Sequence, residues 1–192
     1  MKNYLDFFKM DIQTLKMTQK TIEKMLEDRH DSEILNIDEN DTTENILVWY
    51  VSYYDTETIV IWYLVKGFGV NPLKECVKVM EQYDLKSGII VKCGKLTPAA
   101  NTSLIDLNNL YDLQIFDVEE LVHNKTEHSL VPKHELLTIE EANNLLKQYK
   151  VKLTQLPHIK VNDPIIKYYG WKKGRIVRII RKSGEITYRS II

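Results

Sequence analysis

Lys92, Lys95, Thr97 and Asn101 fall within ten residues, and their types and spacing suit contact with an anion. Two ammonium groups, a hydroxyl and an amide, set at a strand end, a loop and a helix start, are the parts of a phosphate contact that ignores what the phosphate is attached to. A solvated loop is the plainer reading of the same stretch, and the residues alone leave both open. Metal-dependent hydrolysis is less well provided for. It needs clustered carboxylates beside a lysine, and the residue two before Lys92 is Ile90, which cannot ligate metal. His123, His128 and His134 lack a thiolate partner and do not share a helical face. No serine lies in G-x-S-x-G, and neither Cys76 nor Cys93 has the surroundings of a catalytic thiol. Gly67-Phe68-Gly69 is a turn signal, not a nucleotide-binding loop.

The elements that must position the four side chains follow from periodicity. Ile46–Tyr54 and Thr58–Val65 predict an antiparallel hairpin across Asp55, Thr56 and Glu57. Asn71 and Pro72 read as the cap and first residue of a helix whose inner stripe is Leu73, Cys76, Val77 and Met80. Gly88–Cys93 reads as a third strand, Thr97-Pro98 opens a helix bearing Leu104, Ile105 and Leu107, and Leu113–Phe116 is a fourth strand. Ahead of these, Tyr4, Phe8, Ile12, Leu15, Ile22 and Met25 mark an amphipathic opening helix to about Asp28, and Asp31–Glu44 reads as an acidic loop with a short ordered interlude. The expected domain is α/β with a small mixed sheet and flanking helices, spanning residues 1–120.

Charge divides the chain at the same place. The net charge of −1 conceals 12 basic and 21 acidic residues before residue 121, against 14 basic and 6 acidic after it. The 121–192 segment is expected to be a small α+β domain. Thr138 and Glu141 form a capping box for a helix bearing Ala142, Leu145, Leu146 and Tyr149. Asp163, Pro164 and Gly170 bracket a helix of two turns or less, and Arg175–Arg181 with Glu185–Ile192 close as a hairpin. The tract from Trp171 to Arg181 suits a nucleic-acid face or an acidic protein partner. Two cysteines without C-x-x-C, no secretory signal and no apolar run of ~20 residues lead us to expect a soluble intracellular protein with no membrane partner.

TEHSLVPKHELLT at 126–138, QLPHIKVNDPIIKYYG at 155–170, GRIVRIIR at 174–181 and ITYR at 186–189 together resemble the shared subunit 5 of eukaryotic RNA polymerases. The C-terminal domain of that family corresponds to a subunit of the archaeal polymerase. GKLTPAANTSLIDL at 94–107 is similar to the family's TPSA loop and following helix, and KTIEKMLEDR at 20–29 is a fainter match. Two departures are a shorter acidic stretch after Arg29 and KSGE in place of a longer hairpin loop.

The resemblance implies a noncatalytic subunit of a DNA-dependent RNA polymerase, with an N-terminal jaw domain beside downstream double-stranded DNA and a C-terminal assembly domain on the largest subunit. It implies other polymerase subunits as partners, no cofactor and no small-molecule substrate. By position, Lys95, Thr97, Pro98, Ala99 and Asn101 would lie near the DNA backbone, with Lys92 adding to the local basic charge. Leu156, Pro157, Ile159, Asp163, Pro164, Tyr168 and Tyr169 would shape the assembly surface. A cellular enzyme places the chain in the nucleus; one encoded by a large DNA virus places it in a cytoplasmic factory or virion. A stand-alone transcription regulator or scaffold of the same fold, and less so a nuclease, are the competing readings.

Overall fold

The computed structural model describes residues 12–30, 36–43, 46–52 and 57–192. By its contacts the chain divides into two compact units, Met1–His123 and Asn124–Ile192.

The first unit is built on a five-stranded sheet of order β1-β2-β3-β4-β5, formed by Asn36–Thr43, Ile46–Ser52, Glu57–Phe68, Ser87–Leu96 and Asp112–Asp117. β1, β2 and β3 pair antiparallel, while β4 and β5 join in parallel. Helices α2 (Val70–Gln82) and α3 (Pro98–Leu107) supply the crossovers that parallel pairing requires. The hairpin forms in the register Ile46↔Tyr63 to Ser52↔Glu57; Asp55 and Thr56 of its connection lie outside the described residues.

Alternation sorts the two faces of this sheet. Ile46, Val48, Ile59, Ile61, Tyr63, Ile90 and Leu113 pack with Leu73, Cys76, Val77 and Met80 of α2. Burial pushes the Cys76 thiol up to about 12, so it stays protonated and behaves as a small core side chain. Gln114, which alternates with Leu113 and Ile115, accepts a 2.7 Å hydrogen bond from Arg29, placing α1 (Ile12–His30) on the opposite face. The buried stripe of α1 is Thr18, Thr21, Ile22, Met25 and Leu26, with both hydroxyls bonded to carbonyls one turn earlier. Ile12 is exposed, and Tyr4 and Phe8 lie outside the described residues.

Two local expectations need correction. Residues 36–43 of the acidic stretch form the eight-residue edge strand β1, where the composition predicts a loop with only a short ordered interlude. A charged, polar strand is a poor core element but a good edge, because it discourages pairing with other chains. Asn71 does not cap α2: the cap is Gly69, and the first backbone bond of the helix is Leu73 N–H to Gly69 O at 3.3 Å. Pro72 is tolerated inside the first turn, where its missing N–H would have found no intrahelical acceptor.

The second unit has a four-stranded sheet of order β6-β8-β9-β7, from Lys133–Leu136, Ile176–Ile180, Ile186–Ile191 and His158–Ile159. The β8–β9 hairpin is antiparallel, β6 adds antiparallel to β8, and the two-residue β7 adds parallel to β9. Ile176 packs with Leu137 and Leu145 beneath α5 (Ile139–Tyr149), while Val177, Ile179 and Ile191 pack with Ile159 of β7 and with Ile166 of α6 (Pro164–Tyr169). Adjacent residues of β8 thus serve two small cores, one per face. The capping box of α5 and the Asp163 and Gly170 caps of α6 are present as the residue types require, with Gly170 left-handed at φ 66°.

Candidate functional site

Gly94, at φ 85°, bends the end of β4 in a conformation that favours glycine. Beyond the bend, the Thr97 N–H donates to Phe68 O at 3.1 Å, hanging the loop on the end of β3. Thr97 then caps α3: its hydroxyl accepts from Ala100 N at 3.2 Å and its carbonyl from Asn101 N at 2.9 Å. Pro98 has no N–H, so Ala99 keeps the one first-turn amide without an intrahelical acceptor. Lys95, Thr97, Pro98, Ala99 and Asn101 are all exposed, along the end of β4, the cap and the first turn of α3, while Ala100 is buried. The arrangement offers an anion one ammonium group, one side-chain amide and one backbone N–H.

Lys92 stands apart from this group. It is 8% exposed, and its Nζ donates to Asp117 Oδ2 at 2.7 Å and to the Gly94 carbonyl. Its charge is neutralised inside the domain and is not presented to solvent. The acid-x-Lys position beside it is filled by fully buried Ile90, and among the described residues no group of three His, Cys, Asp or Glu is placed to hold a metal ion. His134 and His128 are occupied locally, Nδ1 of His134 lying 2.8 Å from Pro132 O and Nδ1 of His128 accepting from Leu130 N at 3.2 Å.

The seven residues assigned by resemblance to the assembly surface separate into two groups. Ile159 and Tyr168 are buried, Leu156 packs against the core under α5, and Asp163 spends one carboxylate oxygen on the Ile165 N–H at 3.0 Å. These four shape the unit from within. Pro157 and Pro164 are exposed, and half-buried Tyr169 stacks on Trp171 at 4.5 Å while meeting Tyr168 edge-on. Pro157, Pro164 and the partly exposed Tyr169–Trp171 stack are therefore among the groups this segment shows to solvent. Nearby, Arg175 donates to Leu137 O at 2.8 Å and Arg178 to Glu135 at 2.8 Å, so two charges of the basic tract work inside the unit.

Glu135 does not stand out in its sequence context, because its partner Arg178 comes from a strand more than 40 residues away. Hydrogen bonds from Lys133 and then Arg178 hold its carboxyl below the usual carboxylate range. A folded-state value below the unfolded one stabilises the native state above the unfolded pKa, and that gain disappears as pH falls through the folded pKa. Glu135→Gln is therefore expected to flatten the acid side of the stability–pH curve below about pH 4.5, by about 1 kcal/mol or less for so open a pair. Urea unfolding at pH 7 and pH 3 measures this; an unchanged difference between the two pH values would contradict it.

A family model described as "RNA polymerase Rpb5, C-terminal domain" matches residues 123–191. DNA-directed RNA polymerases I, II, and III subunit rpabc1 of Dictyostelium discoideum is 36% identical over 194 residues, spanning 93% of this chain and 98% of the relative. The chain belongs to the Rpb5 family of RNA polymerase subunits. Within that family, the Caenorhabditis elegans subunit RPABC1 is 39% identical over 128 residues, 65% of this chain and 61% of its own length. The DNA-directed RNA polymerase subunit 5-like protein 1 of Arabidopsis thaliana is 39% identical over 126 residues, 63% and 60% of the two chains. Membership in Rpb5 makes the chain a component of an enzyme complex rather than its catalyst.

Proposed function

We propose that the chain is a structural subunit of a multisubunit DNA-dependent RNA polymerase, anchored to the largest subunit through Asn124–Ile192 and guiding downstream duplex with the Lys95–Asn101 loop. The observation supporting this most strongly is the match to 98% of the Dictyostelium subunit, which takes in both units of the chain. In a cellular setting the chain works in the nucleus; a virus-encoded polymerase would carry it to a cytoplasmic factory or the virion.

On this reading Pro157, Pro164 and Tyr169 are the assembly contacts, and the buried members of the same segment hold them in place. A tagged pulldown from the native source is expected to recover the two largest polymerase subunits with wild type and to lose them with Pro157→Glu plus Tyr169→Glu. Tyr169 is half-buried, so Pro157→Glu plus Pro164→Glu, which alters only exposed positions, is the companion variant. Recovery of no polymerase subunit with wild type would favour a stand-alone regulator. Undiminished recovery with both variants would move the anchor elsewhere on the unit.

A net-negative unit with one exposed cation at its helix end would guide DNA without gripping it, as a translocating enzyme requires. Lys95→Ala is expected to reduce the slope of log affinity against log salt for downstream duplex by ~0.9, the signature of one lost phosphate contact. An unchanged slope would remove Lys95 from the DNA path.

A further inference from the structure

We propose that Lys92 is the positioning residue of the Gly94–Asn101 loop, holding it from inside the domain by donating to the Gly94 carbonyl while Asp117 neutralises its charge. The inference rests on the reading that this loop faces DNA, and gives Lys92 a role other than phosphate contact. Three observations support it. The first is burial: an 8% exposed lysine with its amine between a carboxylate and a carbonyl has no phosphate-facing charge to offer.

The second is the place it grips. Gly94 is the left-handed bend at which β4 turns toward the loop, and a Cβ at that position would lie 3.7 Å from the backbone nitrogen of Gly67, itself left-handed. That is ordinary contact between neighbouring strands, and the regular β3–β4 register is interrupted between Tyr63 and Phe68. Pairing holds on either side, Lys66 with Cys93 and Phe68 with Leu96, so Gly94 lies in the irregular step between two paired positions. The Lys92 ammonium supplies a donor to the carbonyl of the bend, and the Thr97 N–H to Phe68 O bond holds the far side of the loop.

The third is what stands behind the lysine. Asp117 divides its carboxylate, Oδ2 taking Lys92 and Oδ1 accepting from Glu119 N at 3.3 Å as the cap of α4 (Val118–Leu121). Lys92 and Asp117 face each other in the β4–β5 register, so the anchor is braced by a parallel strand pair and a helix end. A geometric anchor predicts lower duplex affinity at every salt concentration, with no change in how many counterions are released.

The test uses polymerase assembled with the full chain for duplex affinity, and the full chain for amide hydrogen exchange. Lys92→Met is expected to speed exchange of the Thr97 amide by ~10-fold or more. It should weaken duplex binding several-fold with the salt slope intact, and Lys92→Arg should restore both. The apolar pair Lys92→Met plus Asp117→Leu should regain thermal stability, since no buried charge is left alone. It should not regain Thr97 protection, because Gly94 still lacks its donor. A slope reduced by ~0.9 in Lys92→Met would make Lys92 a phosphate contact and overturn the proposal. Unchanged Thr97 exchange, or its recovery in the apolar pair, would overturn it equally. If Lys95→Ala leaves duplex binding untouched, the DNA reading falls while the exchange result still decides whether Lys92 positions the loop.

Discussion

Ile166→Ala is expected to cost the second unit about 3 kcal/mol, the range for removing most of a buried branched side chain from a packed site. Ile166 is fully buried in the middle of α6, against Ile159, Val177, Ile179 and Ile191. That cluster is one of two small cores in the unit, and small domains have little stability to spare: of order 5 kcal/mol at the lower end. At ~4 to 8 °C per kcal/mol for a domain of this size, the loss amounts to roughly 12 °C or more in Tm. Hydrogen exchange of the full chain measures it unit by unit, because amides of the β8–β9 ladder should lose protection by ~100-fold while those of β3–β4 keep theirs. Ile166→Val is the control, expected to cost about 1 kcal/mol. A change in β8–β9 protection below ~10-fold for Ile166→Ala would mean that α6 is not what holds this unit together.

The contrast between α6 and β7 shows which parts of this fold are readable in advance. Asp163, Pro164 and Gly170 write both ends of α6 in nearby residues, and Thr138 with Glu141 does the same for the start of α5. These are local interactions within a few residues, so the sequence states them directly. β7 is two residues long and β6 four, and each exists only because a distant strand offers a free edge. β1 is harder still, since residues 36–43 have the composition of a loop and are strand by pairing with β2.

The candidate site divides along the same line. Thr97, Pro98 and Asn101 are legible because a cap, a proline and an exposed amide are local facts. Lys92 sorts with them in the sequence because nothing within a few residues hints that its charge is spent. Its partner Asp117 lies 25 positions on and becomes a neighbour only through parallel pairing of β4 and β5. The one sequence cue is Asp117 itself, an acid between a strand and V-E-E-L, which its role as the cap of α4 explains. Ile159 and Tyr168 show the opposite effect: a resemblance that covers a surface segment also covers the core residues that hold it up.

Asp117→Ala should then cost far more than the loss of an ordinary ion pair. Arg181 and Glu185, with Nε and Oε2 3.6 Å apart and both side chains more than half exposed, represent the ordinary case. Glu185→Ala should stay within about 0.5 kcal/mol, because water replaces what the pair supplied. The Lys92 and Asp117 side chains are only 10% and 24% exposed at 2.7 Å, and removing the acid leaves an ammonium group with a single carbonyl for company. Stranding a charge in such a place costs about 3 kcal/mol, and the lost cap of α4 adds about 1 kcal/mol. Urea unfolding of both single variants and of Lys92→Met plus Asp117→Ala measures the coupling directly. The double variant should be more stable than Asp117→Ala alone by about 2 kcal/mol, since removing the lysine removes the stranded charge. Additive losses would instead mean that water already reaches Lys92, and the bend at Gly94 would then need another explanation.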